Sequence, residues 1–120
     1  MRIEVKGRNM PVSDDIRNHV VHRFRVIERQ VSDLALLEIE VFHEKNPSIP
    51  DSQVVHANLH LKGVTLRAYK SDRDLMHCIN EVSDDLGVQV KRHRDKRRKR
   101  RETRAAAAQY AAEGWPLQAT

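Results

Sequence analysis

The chain has 120 residues, 39% of them hydrophobic and 32% charged, and a formal net charge of +5. That length supports one domain with one modest core. The single cysteine, Cys78, excludes an internal disulfide framework and fits a reducing cytosol, and no apolar run approaches a membrane span.

The N-terminal MRIEVKGRN alternates charged and apolar residues and lacks the apolar stretch of a signal peptide. Ile3 and Val5 alternating with Arg2, Glu4 and Lys6 predict a half-buried first strand that ends near Gly7–Asn9. After Pro11, Ser13 is a good helix N-cap, and Asp14 and Asp15 suit the positive end of the helix dipole. Val12, Ile16, Val20, Phe24 and Ile27 form one apolar stripe of a helix reaching about Arg29. Arg25 and Arg29 fall opposite that stripe, and Arg23 falls near its edge. The stretch LALLEIEVFHEK alternates as a second strand. NPSIPDS, with two prolines, reads as a loop. Val55, Ala57, Leu59 and Leu61 mark a third strand, Lys62-Gly63 a tight hairpin turn, and Val64, Leu66 and Ala68 a fourth strand. Ser71 and Asp74 have the spacing of a capping box. Leu75, Cys78, Ile79, Val82 and Leu86 then lie on one helical stripe. Gly87 either ends this second helix or softens it by roughly 1 kcal/mol relative to Ala. Beyond Val90 the segment is either a helix continuing past the core or a disordered arm awaiting a partner.

The implied fold class is α+β. It is a two-layer β-α-β-β-β-α domain with a four-stranded mixed sheet. The first two strands are parallel through a right-handed crossover, the remainder are antiparallel, and two helices pack on one face. The other sheet face, with Glu38, Glu40, His56, Asn58, His60, Arg67 and Tyr69, should be wet. The domain is expected over residues 1–96, with a flexible basic extension and alanine-rich tail over 97–120.

Charge points to the partner. The fourteen residues Lys91–Arg104 hold ten Lys/Arg and two acids, a local net of +8, whereas residues 1–90 hold twelve basic against fourteen acidic side chains. A cationic segment this dense is a footprint for a polyanion, nucleic acid first. Seven of its ten bases are Arg, whose planar guanidinium pairs with phosphate oxygens. Aromatic residues are only 4% of the chain, which argues against a base-stacking platform.

Taken together, MRIEVKGRNMPVSDDIRNHVVHRFRVIER, LEIEVFHEK and LRAYKSDRDLMHCINEV, in that order, resemble the ribosome hibernation promoting factor family, which includes ribosome-associated inhibitor A (protein Y) and the light-repressed transcript products. The resemblance covers roughly residues 1–96 and has the same element order. It implies a cytoplasmic translation inhibitor, active in stress and stationary phase. Such a factor binds the small ribosomal subunit, its 16S-type rRNA and neighbouring ribosomal proteins, in the mRNA and tRNA channel at the A and P sites, and blocks translation sterically. Carried over by position, Arg23, Arg29, Gln89, Arg92 and Lys96 match the family's RNA-facing positions. With the charge pattern, the expected rRNA-binding set is Arg23, Arg25, Arg29, Gln89, Lys91, Arg92, Arg94, Lys96, Arg97, Arg98, Lys99 and Arg100. The family often has bases where this chain has Asp85 and Val88, and usually no glycine at Gly87; the dense Lys96–Arg101 run offers compensating charge. Long relatives add a dimerising domain. The chain, ending at Thr120, is read as either a short form or a fragment of a long one, and no self-dimerisation domain is expected within it.

No enzyme, cofactor, metal, membrane or small-molecule substrate is expected. His43, His56 and His60 lack further donors for a tetrahedral set. Cys78 lies on the apolar stripe, away from the direction of His77. Glu38 and Glu40 share a strand face with no sign of a cleft. The glycines make no phosphate-cradling loop. Two binding alternatives remain: a general double-stranded RNA-binding module, from which the extra first strand departs, and a protein-interaction domain with an incidental basic tail.

Overall fold

The computed structural model describes residues 1–44 and 53–112. The expected NPSIPDS loop lies outside these residues. The elements are β1 (Arg2–Arg8), α1 (Asp14–Arg23), α2 (Arg25–Glu28), β2 (Leu36–His43), β3 (Gln53–Leu61), β4 (Val64–Asp72) and α3 (Leu75–Ala112). The sheet order is β1-β2-β3-β4, with β1 parallel to β2 and the other pairs antiparallel. This is the α+β architecture that the alternation patterns imply. The chain divides into two compact units between Val90 and Lys91.

Within the first unit, alternation decides the faces. Leu37, Ile39 and Val41 of β2 and Val55, Ala57 and Leu59 of β3 are buried. They form one core with Ile16, Val20, Phe24 and Ile27 from the first helical region and with Cys78, Ile79, Val82, Leu86 and Val90 from α3. Each fully buried aliphatic side chain contributes roughly 1.5–3 kcal/mol. A one-residue slip of any strand would turn its apolar set toward water, so the register is strongly specified.

Ser13 caps α1 as its sequence position suggests, its side-chain oxygen accepting from the Ile16 N–H at 3.2 Å. The single helix expected up to Arg29 is instead two segments. Phe24 separates them with φ −88° and ψ 3°, outside the ordinary helical region. The hydrogen-bond ladder still crosses the interruption, through Phe24 N–H to Val20 at 2.9 Å and Glu28 N–H to Phe24 at 3.0 Å. The apolar stripe therefore stays in the core. Lys62-Gly63 makes the hairpin turn, and Gly63 takes a φ of +80°, which a side chain would resist.

The start of α3 differs from the expected capping box. Ser71 lies in β4, and the cap is Asp74, whose carboxylate accepts from the Met76 N–H at 3.0 Å. Asp72 in turn accepts from the Asp74 N–H at 3.2 Å. That backbone hydrogen bond is the main reason its carboxyl titrates below the ordinary range. Gly87 does not end α3: the helix runs on through the basic stretch to Ala112. No helix among the described residues is long and apolar enough to cross a membrane.

Candidate nucleic-acid interface

In the first unit the candidate residues differ in availability. Arg25 and Arg29 are exposed, one turn apart around α2. Arg23 is half-buried and donates to Asp84 of α3 at 2.9 Å. Its Nε is buried and has no hydrogen-bond partner. The pair orients the guanidinium and offsets its charge. Gln89 donates to the Arg67 carbonyl at 2.7 Å and to the Asp85 carboxylate at 3.2 Å, so its amide is engaged within the fold. A second link joins the same helices: His19 Nε2 lies 2.7 Å from Asn80 Oδ1. Sequence periodicity had no signal for the partners Asp84 and Asn80, which stand 61 residues from Arg23 and His19 respectively.

In the second unit, Lys91, Arg92, Arg94, Lys96, Arg97, Arg98, Lys99 and Arg100 are all exposed on continuous helix, with Arg101 and Arg104 following. Helical geometry sorts these ten bases. At about 100° per residue, Lys91, Arg94, Arg97, Arg98, Arg101 and Arg104 fall within one half of the wheel, and Arg92, Lys96, Lys99 and Arg100 within the other. Arg94, Arg97, Arg98 and Arg101 line one surface hollow together with Asp95. Lys96, Lys99 and Arg100 line another with Thr103 and Arg104. The first face is therefore an arginine ridge suited to paired phosphate contacts, and the second is richer in lysine. Asp95 meets Arg98 at 3.7 Å, an exposed pair that withdraws little charge.

The groups set aside as non-catalytic are also placed. Cys78 is fully buried, and its thiol donates to the Lys70 carbonyl at 3.1 Å. Burial pushes its pKa up to about 11, the opposite of an activated nucleophile. His60 contacts the Glu38 carboxylate through Nε2 and lies 3.2 Å from Thr65 Oγ1 through Nδ1. Glu38 and Glu40 do border a shallow hollow of about 150 Å³, with Glu4, Lys6, His56 and Asn58. This corrects the expectation of no cleft there. The two carboxylates are nevertheless committed to His60 and, at 3.7 Å, to Arg8.

Residues 3–98 match the family model described as Sigma 54 modulation protein / S30EA ribosomal protein. The chain belongs to the S30AE family of ribosome hibernation promoting factors. This S30AE chain is 26% identical over 122 residues to the ribosome hibernation promotion factor of Staphylococcus aureus (strain COL), covering all of this chain and 62% of that protein. It is 27% identical over 96 residues to the ribosome hibernation promoting factor of Klebsiella oxytoca, covering 80% of this chain and 96% of that one. The chain thus spans less than two thirds of the staphylococcal relative and nearly all of the enteric one. Its fold is similar to that of the Thermus thermophilus protein Y N-terminal domain, with a TM-score of 0.65, 24% identity and coverage of 78% and 99% of the two chains. It is also similar to a ribosomal subunit interface protein from Coxiella burnetii, with a TM-score of 0.67, 18% identity and coverage of 79% and 99%. The hibernation factor family is non-enzymatic.

Proposed function

We propose that this chain binds the small ribosomal subunit in the channel for messenger RNA and tRNA, at the A and P sites, and halts translation by occupying it. Residues 1–96 would be the ribosome-binding domain and 97–120 a basic extension, acting in the cytoplasm under stress or in stationary phase. The observation that carries the reading is the run of ten exposed bases between Lys91 and Arg104 in a member of this family. Ribosomal RNA is a dense polyanion, and each phosphate neutralised by Lys or Arg releases counterions. No chemistry is required, because a folded body in the channel excludes messenger and tRNA by volume. Arg25 and Arg29 would add contacts from the first unit, while Arg23 would reach phosphate only by sharing or leaving Asp84.

The test is sedimentation of the full chain with purified ribosomes across a salt series, followed by footprinting of the small-subunit RNA. Binding that weakens steeply with salt, with protections in the channel, is expected. Replacing Arg92, Lys96, Arg97 and Arg98 with Glu should abolish co-sedimentation while the circular dichroism spectrum is unchanged. Failure of the wild-type chain to sediment with small subunits at low salt would overturn the proposal. Equal affinity for a free RNA duplex would favour a general double-stranded RNA-binding role instead.

A further inference from the structure

Where β4 meets the first turns of α3, three metal-ligating side chains converge. Asp72 is the last residue of β4, and His77 and Glu81 stand one turn apart on α3. His77 Nε2 lies 2.9 Å from Glu81 Oε1 and 3.5 Å from Asp72 Oδ2. One ligand atom from each residue lies within 4.8 Å of the other two. We propose that Asp72, His77 and Glu81 bind a divalent transition-metal cation of the zinc class.

The geometry suits such an ion. Around zinc, with bonds of about 2.0–2.2 Å, the edge of a tetrahedron is roughly 3.4 Å. The two separations from His77, 2.9 and 3.5 Å, bracket that edge, and the third, between Asp72 and Glu81, is within 4.8 Å, so side-chain rotation would bring the three atoms around one centre. Both helical ligands sit on a rigid element at i, i+4, which holds them on the same face. The strand ligand is aimed by its own second contact: Asp72 Oδ1 accepts from the Asp74 N–H, leaving Oδ2 turned toward His77. Glu81 and Asp72 are partly shielded, with 35% and 28% of their side chains exposed, while the imidazole is open to solvent at 59%. An incoming ion would thus find an accessible nitrogen backed by two half-covered carboxylates.

Without an ion, one imidazole nitrogen faces two carboxylates. A neutral ring can donate its single Nε2 proton to only one of them at full strength. A cation in place of that proton satisfies all three groups together. The chemical class follows from the donors. One imidazole and two carboxylates form a mixed N/O set that zinc and its neighbours in the transition series accept, whereas magnesium and calcium require more oxygen ligands. Cys78 does not join the set, because its thiol donates to the Lys70 carbonyl. Water would complete the coordination, as at three-ligand sites generally. The site belongs wholly to the first unit and is independent of the proposed ribosome binding.

The experiment is calorimetric titration of the metal-stripped, untagged full chain with zinc chloride. Paramagnetic broadening of the wild-type spectrum by cobalt(II) gives a readout that needs no variant. Expected results are one ion bound per chain, a rise in melting temperature with zinc, and cobalt broadening centred on Asp72, His77 and Glu81. His77→Ala and Glu81→Gln should each weaken binding at least about tenfold, since even outer-shell changes at metal sites cost roughly 10–100-fold. His93→Ala, a change in the second unit, should leave it unchanged. Absence of heat and of any melting shift up to millimolar zinc would overturn the proposal. So would binding that survives both variants, or broadening centred on other histidines. If His77→Ala fails to fold, Glu81→Gln and the wild-type cobalt spectrum decide the matter.

Discussion

Replacing Arg94, Arg97, Arg98 and Arg101 with Gln tests whether α3 meets RNA on one face. Gln keeps helix propensity close to that of Arg, so the perturbation removes charge without unwinding the helix. Six bases share the arginine side of the wheel: Lys91, Arg94, Arg97, Arg98, Arg101 and Arg104. With about 0.9 counterions released per phosphate, six contacts give a slope of about −5 in log K against log salt. Removing four leaves two contacts and a slope of about −2. The matched variant, with Arg92, Lys96, Lys99 and Arg100 replaced by Gln, removes the same charge from the opposite side. If the arginine ridge alone meets RNA, this variant should keep a slope of about −5, whereas a fall would place Arg92 and Lys96, the family-matched positions, on the phosphates. The assay is ribosome co-sedimentation or fluorescence anisotropy at several salt concentrations, with helix content checked by circular dichroism. Equal reductions in the two variants would refute a one-sided interface, and a larger effect in the second would assign RNA to the lysine-rich face.

Phe24→Ala should cost about 3–5 kcal/mol in denaturant unfolding, because the ring is fully buried where α1 gives way to α2. Gly87→Ala should stabilise the fold by roughly 1 kcal/mol, because the new methyl meets nothing within 4 Å and α3 is continuous through the site; a lower melting temperature would contradict this. Cys78 should resist a thiol reagent in the native protein at pH 8 and react only on unfolding. Its folded pKa is raised from 9.0 to about 11, so the unfolded thiol ionises first. Its contribution to stability is complete below pH 9 and is lost as the pH rises toward about 11. Cys78→Ala should therefore show a flatter alkaline limb in a plot of stability against pH.

The elements were legible because their signals are local. Strand alternation at Leu37, Ile39, Val41, Val55, Ala57 and Leu59 and the helical stripe from Ile16 to Ile27 each state a period and a buried face. The run of Lys and Arg after Val90 was equally plain. Local rules failed where two signals competed. Ser71-x-x-Asp74 fits a capping box, yet strand pairing carries β4 through to Asp72, so Asp74 becomes the cap. Gly87 is a possible stop signal, but Leu86 and Val90 on either side are anchored in the core and hold the helix together.

Composition and periodicity by themselves determined the element order, the apolar faces and the placing of ten of the 22 basic side chains on fourteen residues. They could do so because burial repeats every 2 or 3.6 positions along a strand or helix and charge is simply counted. Only the tertiary structure decided that Arg23 is held by Asp84, that Gln89 is tied to the Arg67 carbonyl, and that Asp72, His77 and Glu81 share one point in space. Apart from the His77–Glu81 step along α3, those pairings join different elements, and no local period records which side chains folding brings together across them.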